Sequence, residues 1–189
     1  MLHAARFARP TVRRVSSSST SASLHPQLRS LRRRDVHVEA RLAALGIPQL
    51  PAPPTPKGAY VFCTRSGPHA YVVAIPALLD AEGVVVGTVG HTLSAAEGQE
   101  AARLAAINML SVLQAELGDL DRIVRMVKVT GFVRCVDGFD SLPAVLNGFS
   151  QLLGDVLGPE KAVHARAAVG VNALPLNMCC EFEAVVEVD

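Results

Sequence analysis

The segment Ser141–Leu157 constrains the fold most. Leu142, Val145, Leu146, Phe149, Leu152, Leu153 and Val156 recur there at three- and four-residue steps, which lines one face of an α-helix with apolar side chains. Such a stripe must be pressed against another layer. A second helix is marked over Ser94–Leu117. It opens on Ser94-Ala95-Ala96-Glu97, a capping box, and is closed by Gly118. A shorter helix is expected from Val36 to Leu45, ended by Gly46. An extended arm follows through Pro48, Pro51, Pro53, Pro54 and Pro56.

Strand signals surround the two long helices. Ala59–Thr64 and Ala70–Ala74 flank a Ser66-Gly67-Pro68 turn, the mark of a hairpin. Gly83–Val89 reads as a third short strand, and Val127–Val133 as a β-branched one. Val163–Val171 and Cys179–Val188 complete the set. Two one-faced helices among these strands predict an α+β sandwich, with a mixed sheet carrying both helices on one face. The expected organisation is a leader over residues 1–34, a helical and Pro-rich arm over 35–58, and the α+β domain over 59–189.

Charge divides the chain sharply. Residues 1–34 contain eight arginines, many serines and no acid. Taking those arginines from the 18 basic residues leaves ten against all 17 acids, a net of −7 from Asp35 onward. The leader has the composition of a mitochondrial transit peptide, with cleavage expected near Arg32–Val36 and the matrix as destination. The acidic body disfavours nucleic acid as a partner, because phosphate contacts need clustered Lys and Arg. No uncharged apolar run approaches the roughly 18 residues that span a bilayer, so no membrane helix is expected. Cys63, Cys135, Cys179 and Cys180 form no Cys-x-x-Cys pair and are expected to be reduced, mostly buried thiols.

Strand parity suggests where chemistry lies. Val163, Ala165, Ala167, Val169 and Val171 share one face, expected to pack under the helices; His164, Arg166, Ala168 and Gly170 share the other. Arg166 is thereby expected on the helix-free face. Glu181, Glu183 and Glu187, opposite Phe182, Ala184, Val186 and Val188, are expected there too. A guanidinium among small residues matches a carboxylate with two parallel hydrogen bonds, and a neighbouring carboxylate can hold or deprotonate a water. The structural alternative is an Arg–Glu salt bridge across strands or between subunits.

The run His164-Ala165-Arg166-Ala167-Ala168-Val169-Gly170-Val171-Asn172-Ala173-Leu174-Pro175, followed by Cys180-Glu181-Phe182-Glu183-Ala184-Val185, resembles the C-terminal signature of the Rid (YjgF) family. The capped helix, Gly118–Val124 and Lys128–Val133 are also similar to that family, over roughly Leu45 to Val186. Leu45-Gly46-Ile47 matches a longer-chain subgroup. The resemblance implies a chorismate-mutase-like α+β fold and homotrimers with clefts between subunits. It also implies hydrolysis of reactive enamines and imines such as 2-aminoacrylate and 2-iminobutanoate, without cofactor or metal. Arg166 matches the family arginine that grips the substrate carboxylate, and Glu181 the glutamate that positions the attacking water. Tyr60 matches a pocket tyrosine and Asn147 a helix asparagine near the cleft. Asn147 lies off the helix's apolar stripe, where a solvent-facing side chain is expected, and His164 receives no role.

Two positions depart from the family. Ala167 replaces a common Ser, and Val72-Val73-Ala74 replaces Ser-Gly-Gln, so that Val73 stands where a pocket glycine is usual. Beside the deaminase, two other functions fit the sequence: a 2-keto-acid-binding or regulatory trimer without turnover, and a ribonuclease or translation inhibitor.

Overall fold

The computed structural model of the chain describes residues 37–77 and 83–189; the leader expected over residues 1–34 and its cleavage region lie outside the described residues. The strands are β1 (Cys63–Ser66), β2 (His69–Ala74), β3 (Ile123–Arg134), β4 (Ala165–Val171) and β5 (Cys180–Val188). They form one sheet in the order β1-β2-β5-β3-β4. All neighbours are antiparallel except β3 and β4, so the sheet is mixed. The parallel pair requires a crossover; α3 (Leu142–Leu157) and the single turn α4 (Pro159–Ala162) supply it. The other long helix, α2 (Ala95–Leu117), connects β2 to β3.

Local chemistry sets the helix ends. Ser94 Oγ accepts from the Glu97 N–H at 3.2 Å, and Glu97 Oε2 accepts from the Ser94 N–H at 2.8 Å, so the capping box is complete. Gly118, at φ +79°, ends α2. The stripe on α3 is buried: Val145, Leu146, Phe149, Leu152, Leu153 and Val156 all sit in the core. Phe149 stacks on Phe182 of β5, ring centroids 4.2 Å apart and 7° from parallel. Two glycines permit this closeness. A Cβ at Gly131 of β3 would stand 2.7 Å from Leu146 Cδ2, and one at Gly148 only 1.9 Å from the Gln99 carbonyl oxygen. Hence α3 lies hard against both sheet and α2.

Two segments differ from expectation. Residues 83–89 form no ladder strand, only isolated bridges such as Val86–Met178 and Val89–Cys135. Gly83, Gly87 and Gly90 all take positive φ, which breaks the extended run. The first strand begins at Cys63 rather than Ala59, because a tight turn from Gly58 O to Tyr60 N precedes it. At the N-terminal end, α1 (Val38–Ala44) buries Val38 and Leu42, and the first N–H of the helix is accepted by Asp121 Oδ1 at 3.2 Å. Ile47 and Leu50 pack on the same core, anchoring the start of the Pro-rich arm to the domain.

Candidate functional site

Arg166 sits on the edge strand β4, paired with Val129 of β3. Val129 is buried under the helices and also pairs with Ala184, and paired residues share a sheet face. Arg166 therefore faces the helices. The parity expectation is inverted: Arg166, Ala168 and Gly170 lie on the helix side, where a Cβ at Gly170 would meet Leu142 of α3 at 3.5 Å. The apolar side chains Ala165, Ala167 and Val169 are exposed on the other side, Val169 at 38 %. The inversion comes from the edge position. Beyond the apolar stripe of α3, a helix-facing side chain needs a polar tip as well as an apolar stem, and arginine has both.

That tip is held by α3. Nη1 of Arg166 donates to Asn147 Oδ1 at 3.1 Å and to Ser150 Oγ at 2.9 Å; Nη2 donates to the Pro143 carbonyl at 3.3 Å. Residues 143, 147 and 150 follow helical spacing, so they form one row along α3. Asn147 is half-buried against Arg166 rather than turned to solvent; it lies off the apolar stripe because it serves the strand's margin. Guanidinium has five N–H donors. Three are used, leaving Nε and one Nη2 hydrogen, the number a carboxylate accepts bidentately.

Glu181 does not join this cluster. It occupies the rung of Phe132 and Val169, opposite to Phe182 and therefore on the helix-free face. Among these apolar neighbours it is half-buried, and desolvation raises its carboxyl above the ordinary range. The cross-strand Arg166–Glu181 salt bridge is excluded by this geometry. Tyr60 precedes β1, is 52 % exposed, and meets Phe62 edge-to-face at 5.6 Å. Val73 is half-buried on the helix-free face, paired with Glu183. It lines a groove of about 400 Å³ with Tyr71, Lys128, Thr130 and Glu183. Neither Arg166 nor Glu181 borders that groove.

Sequence reading missed Ser150 and Pro143, because a serine and a main-chain carbonyl carry no signature; the helical spacing from Asn147 was the available signal. It also gave His164 no role, although His164 reaches Ser150. Elsewhere, Glu39, Asp119 and Asp121 gather their carboxylates. Two of these are engaged locally: Asp119 Oδ1 accepts from the Asp121 N–H at 2.8 Å, and Asp121 caps α1. All four cysteines are free thiols, and burial pushes Cys63 up to about 11, a poor nucleophile at neutral pH. No described helix is long and apolar enough to cross a membrane.

Known proteins resemble this chain over most of its length. The profile of the family described as Endoribonuclease L-PSP matches residues 64–188. Protein TCP17 of Trypanosoma cruzi is 41 % identical over 152 residues, covering 80 % of this chain and 94 % of that protein. Among solved structures, Atu1372 of Agrobacterium tumefaciens, of unknown function, is 41 % identical with a TM-score of 0.71, over 81 % of this chain and 94 % of that one. A candidate endoribonuclease of Shewanella oneidensis is 28 % identical with a TM-score of 0.75, over 80 % and 99 %. The mixed sheet, the helix pair and the signature around Arg166 and Glu181 have a common origin: the chain belongs to the Endoribonuclease L-PSP family, that is, the Rid (YjgF) family.

Proposed function

We propose that the protein hydrolyses 2-imino and 2-enamino acids to 2-keto acids and ammonia, as a homotrimer with its clefts between subunits. The observation that carries this reading is the pinned Arg166, with three donors fixed by α3 and two left over. A carboxylate in that fork presents the adjacent imine carbon in one orientation. Water, held and relieved of a proton by Glu181, adds to that carbon. Glu181 passes that proton to the nitrogen; the hydroxyl proton of the carbinolamine follows it, again through Glu181, as the C–N bond breaks and ammonia leaves the 2-keto acid. The raised carboxyl of Glu181 suits a group that accepts and returns a proton.

The opposed faces of Arg166 and Glu181 give the trimer its purpose in this reading. One chain cannot converge them; an edge strand of one copy set against the helix-free face of the next can. The exposed apolar side chains on that face, Ala165, Ala167, Val169 and Tyr71, support burial by another copy. The acidic body speaks against RNA as substrate. Val73 favours a second reading, a keto-acid-binding trimer without turnover, since a valine narrows the place usually held by glycine. We place the protein in the mitochondrial matrix on its leader composition.

The test generates 2-iminobutanoate with a threonine dehydratase and follows 2-oxobutanoate release by protein beginning near Asp35. Acceleration that disappears in Arg166→Ala, with the assembly intact, is the expected result. No acceleration by folded wild type rejects the deaminase in favour of the binding reading.

A further inference from the structure

We infer that Ser150 and His164 are positioning residues that orient Arg166 through a hydrogen-bond relay of fixed direction; the inference rests on the reading of Arg166 as a carboxylate anchor. His164 precedes β4, its ring half-buried. Its Nε2 lies 3.1 Å from Ser150 Oγ and its Nδ1 2.5 Å from the Ala162 carbonyl oxygen. Ser150 Oγ in turn lies 2.9 Å from Nη1 of Arg166. Both ends of this chain have a single hydrogen-bonding sense. Arginine only donates, and a main-chain carbonyl only accepts.

The polarity between them follows. Nδ1 of His164 faces the Ala162 carbonyl and carries the hydrogen in the bond to it, and in that tautomer the Ser150 hydroxyl, while accepting from Arg166, donates to Nε2. Nε2 is then the unprotonated nitrogen, and Nδ1 carries the hydrogen donated to Ala162 O. The Ala162 carbonyl selects the Nδ1–H tautomer of His164, and that tautomer keeps a lone pair of Ser150 directed at the guanidinium.

The consequence concerns ligand capture. An arginine side chain on an edge strand with alanine and glycine neighbours has many rotamers to lose on binding. Asn147 and Ser150 remove that freedom beforehand, and His164 fixes the hydroxyl that does so. Loss of this ordering weakens ground-state and transition-state binding alike, so it raises KM and leaves kcat nearly unchanged. Immobilising one such side chain corresponds to roughly a three- to tenfold change in affinity.

The experiment measures 2-iminobutanoate kinetics and, separately, 2-oxobutanoate binding by calorimetry. The variants are Ser150→Ala, His164→Ala, His164→Asn and His164→Gln, with thermal midpoint and assembly size as controls. Ser150→Ala and His164→Ala are expected to raise KM and Kd together by about three- to tenfold. The double variant is expected to be no worse than either single one. His164→Gln, which restores an acceptor near the Nε2 position, is expected to recover most of the loss. His164→Asn, which keeps only the donor toward Ala162, is not. Should Ser150→Ala fail to fold, the Gln–Asn contrast carries the test. Unchanged KM and Kd in folded variants, or a glutamine no better than asparagine, overturns the relay. Wild type that binds 2-oxobutanoate with the expected variant pattern but shows no turnover rejects the deaminase and retains the relay. Wild type that neither binds nor turns over overturns both.

Discussion

Gly148→Ala tests the packing that places the site. The added Cβ would stand 1.9 Å from the Gln99 carbonyl oxygen, a backbone atom of α2 that cannot rotate away. Real Cβ atoms essentially never approach within 3.0 Å, so α3 and α2 must separate by about 1 Å or more. Overpacking of this kind costs about 1–3 kcal/mol, and an obstacle made of backbone belongs at the upper end. Alanine returns about 1 kcal/mol of helix propensity, for a net loss of about 2 kcal/mol. A domain of this size loses about 2–4 °C of Tm per kcal/mol, so the midpoint is expected to fall by about 4–8 °C. Gly154→Ala is the internal control. It lies in the same helix with nothing within 4 Å of its would-be Cβ, and it should gain about 0.5–1 kcal/mol. Thermal and urea unfolding of both variants, at one protein concentration because assembly shifts midpoints, reads the contrast. A Gly148→Ala protein that melts at or above wild type would refute the close α2–α3 approach. It would also undermine the placement of Asn147 and Ser150, which flank that glycine.

Ser94→Ala removes the acceptor of the capping box and is expected to cost about 1 kcal/mol, read as a midpoint fall of a few degrees. Glu181 has a raised carboxyl pKa because its surroundings desolvate it. Its folded value therefore lies above its unfolded one, and the stability it contributes is present below the unfolded value and lost as pH rises through the folded one. Glu181→Gln is expected to flatten that part of the stability–pH curve, and also to remove the acid limb of kcat/KM, since only the ionised form activates water. A persisting acid limb in Glu181→Gln would assign it to another group. Val73→Gly opens the helix-free face beside Glu183; it is expected to lower KM for bulkier 2-imino acids, and an unchanged substrate profile would remove Val73 from the cleft.

Much of the fold was legible because local signals agreed with one another. The capping box, Gly118 and the α3 stripe each fixed a boundary or a face, and the strand alternation in residues 180–188 sorted inside from outside correctly. The alternation failed on β4, where apolar residues point away from the chain's own helices. Parity identifies two faces but not which is buried, and on an edge strand either face can be the apolar one. The apparent error is thus informative: Ala165, Ala167 and Val169 are apolar on a face the monomer leaves open. Arg166 and Glu181 were singled out by strand parity and by the family signature, but parity set them on one face and the sheet sets them on opposite faces, because face assignments propagate from strand to strand. The Ser150–His164 contact was invisible, since it joins a helix row to a strand's approach across a crossover whose length the sequence does not set.

The central claim, that one functional cleft takes Arg166 from one copy and Glu181 from another, is tested most directly by mixing subunits. Arg166→Ala and Glu181→Gln chains would be assembled separately and together, and 2-iminobutanoate hydrolysis measured. Each homogeneous assembly is expected to keep only a small residue of wild-type turnover. Random trimers from an equal mixture should regain about one quarter of wild-type sites, because one junction type in four pairs an intact arginine with an intact glutamate. A mixture in which subunit exchange is verified but activity stays at the level of the separate variants would contradict the claim.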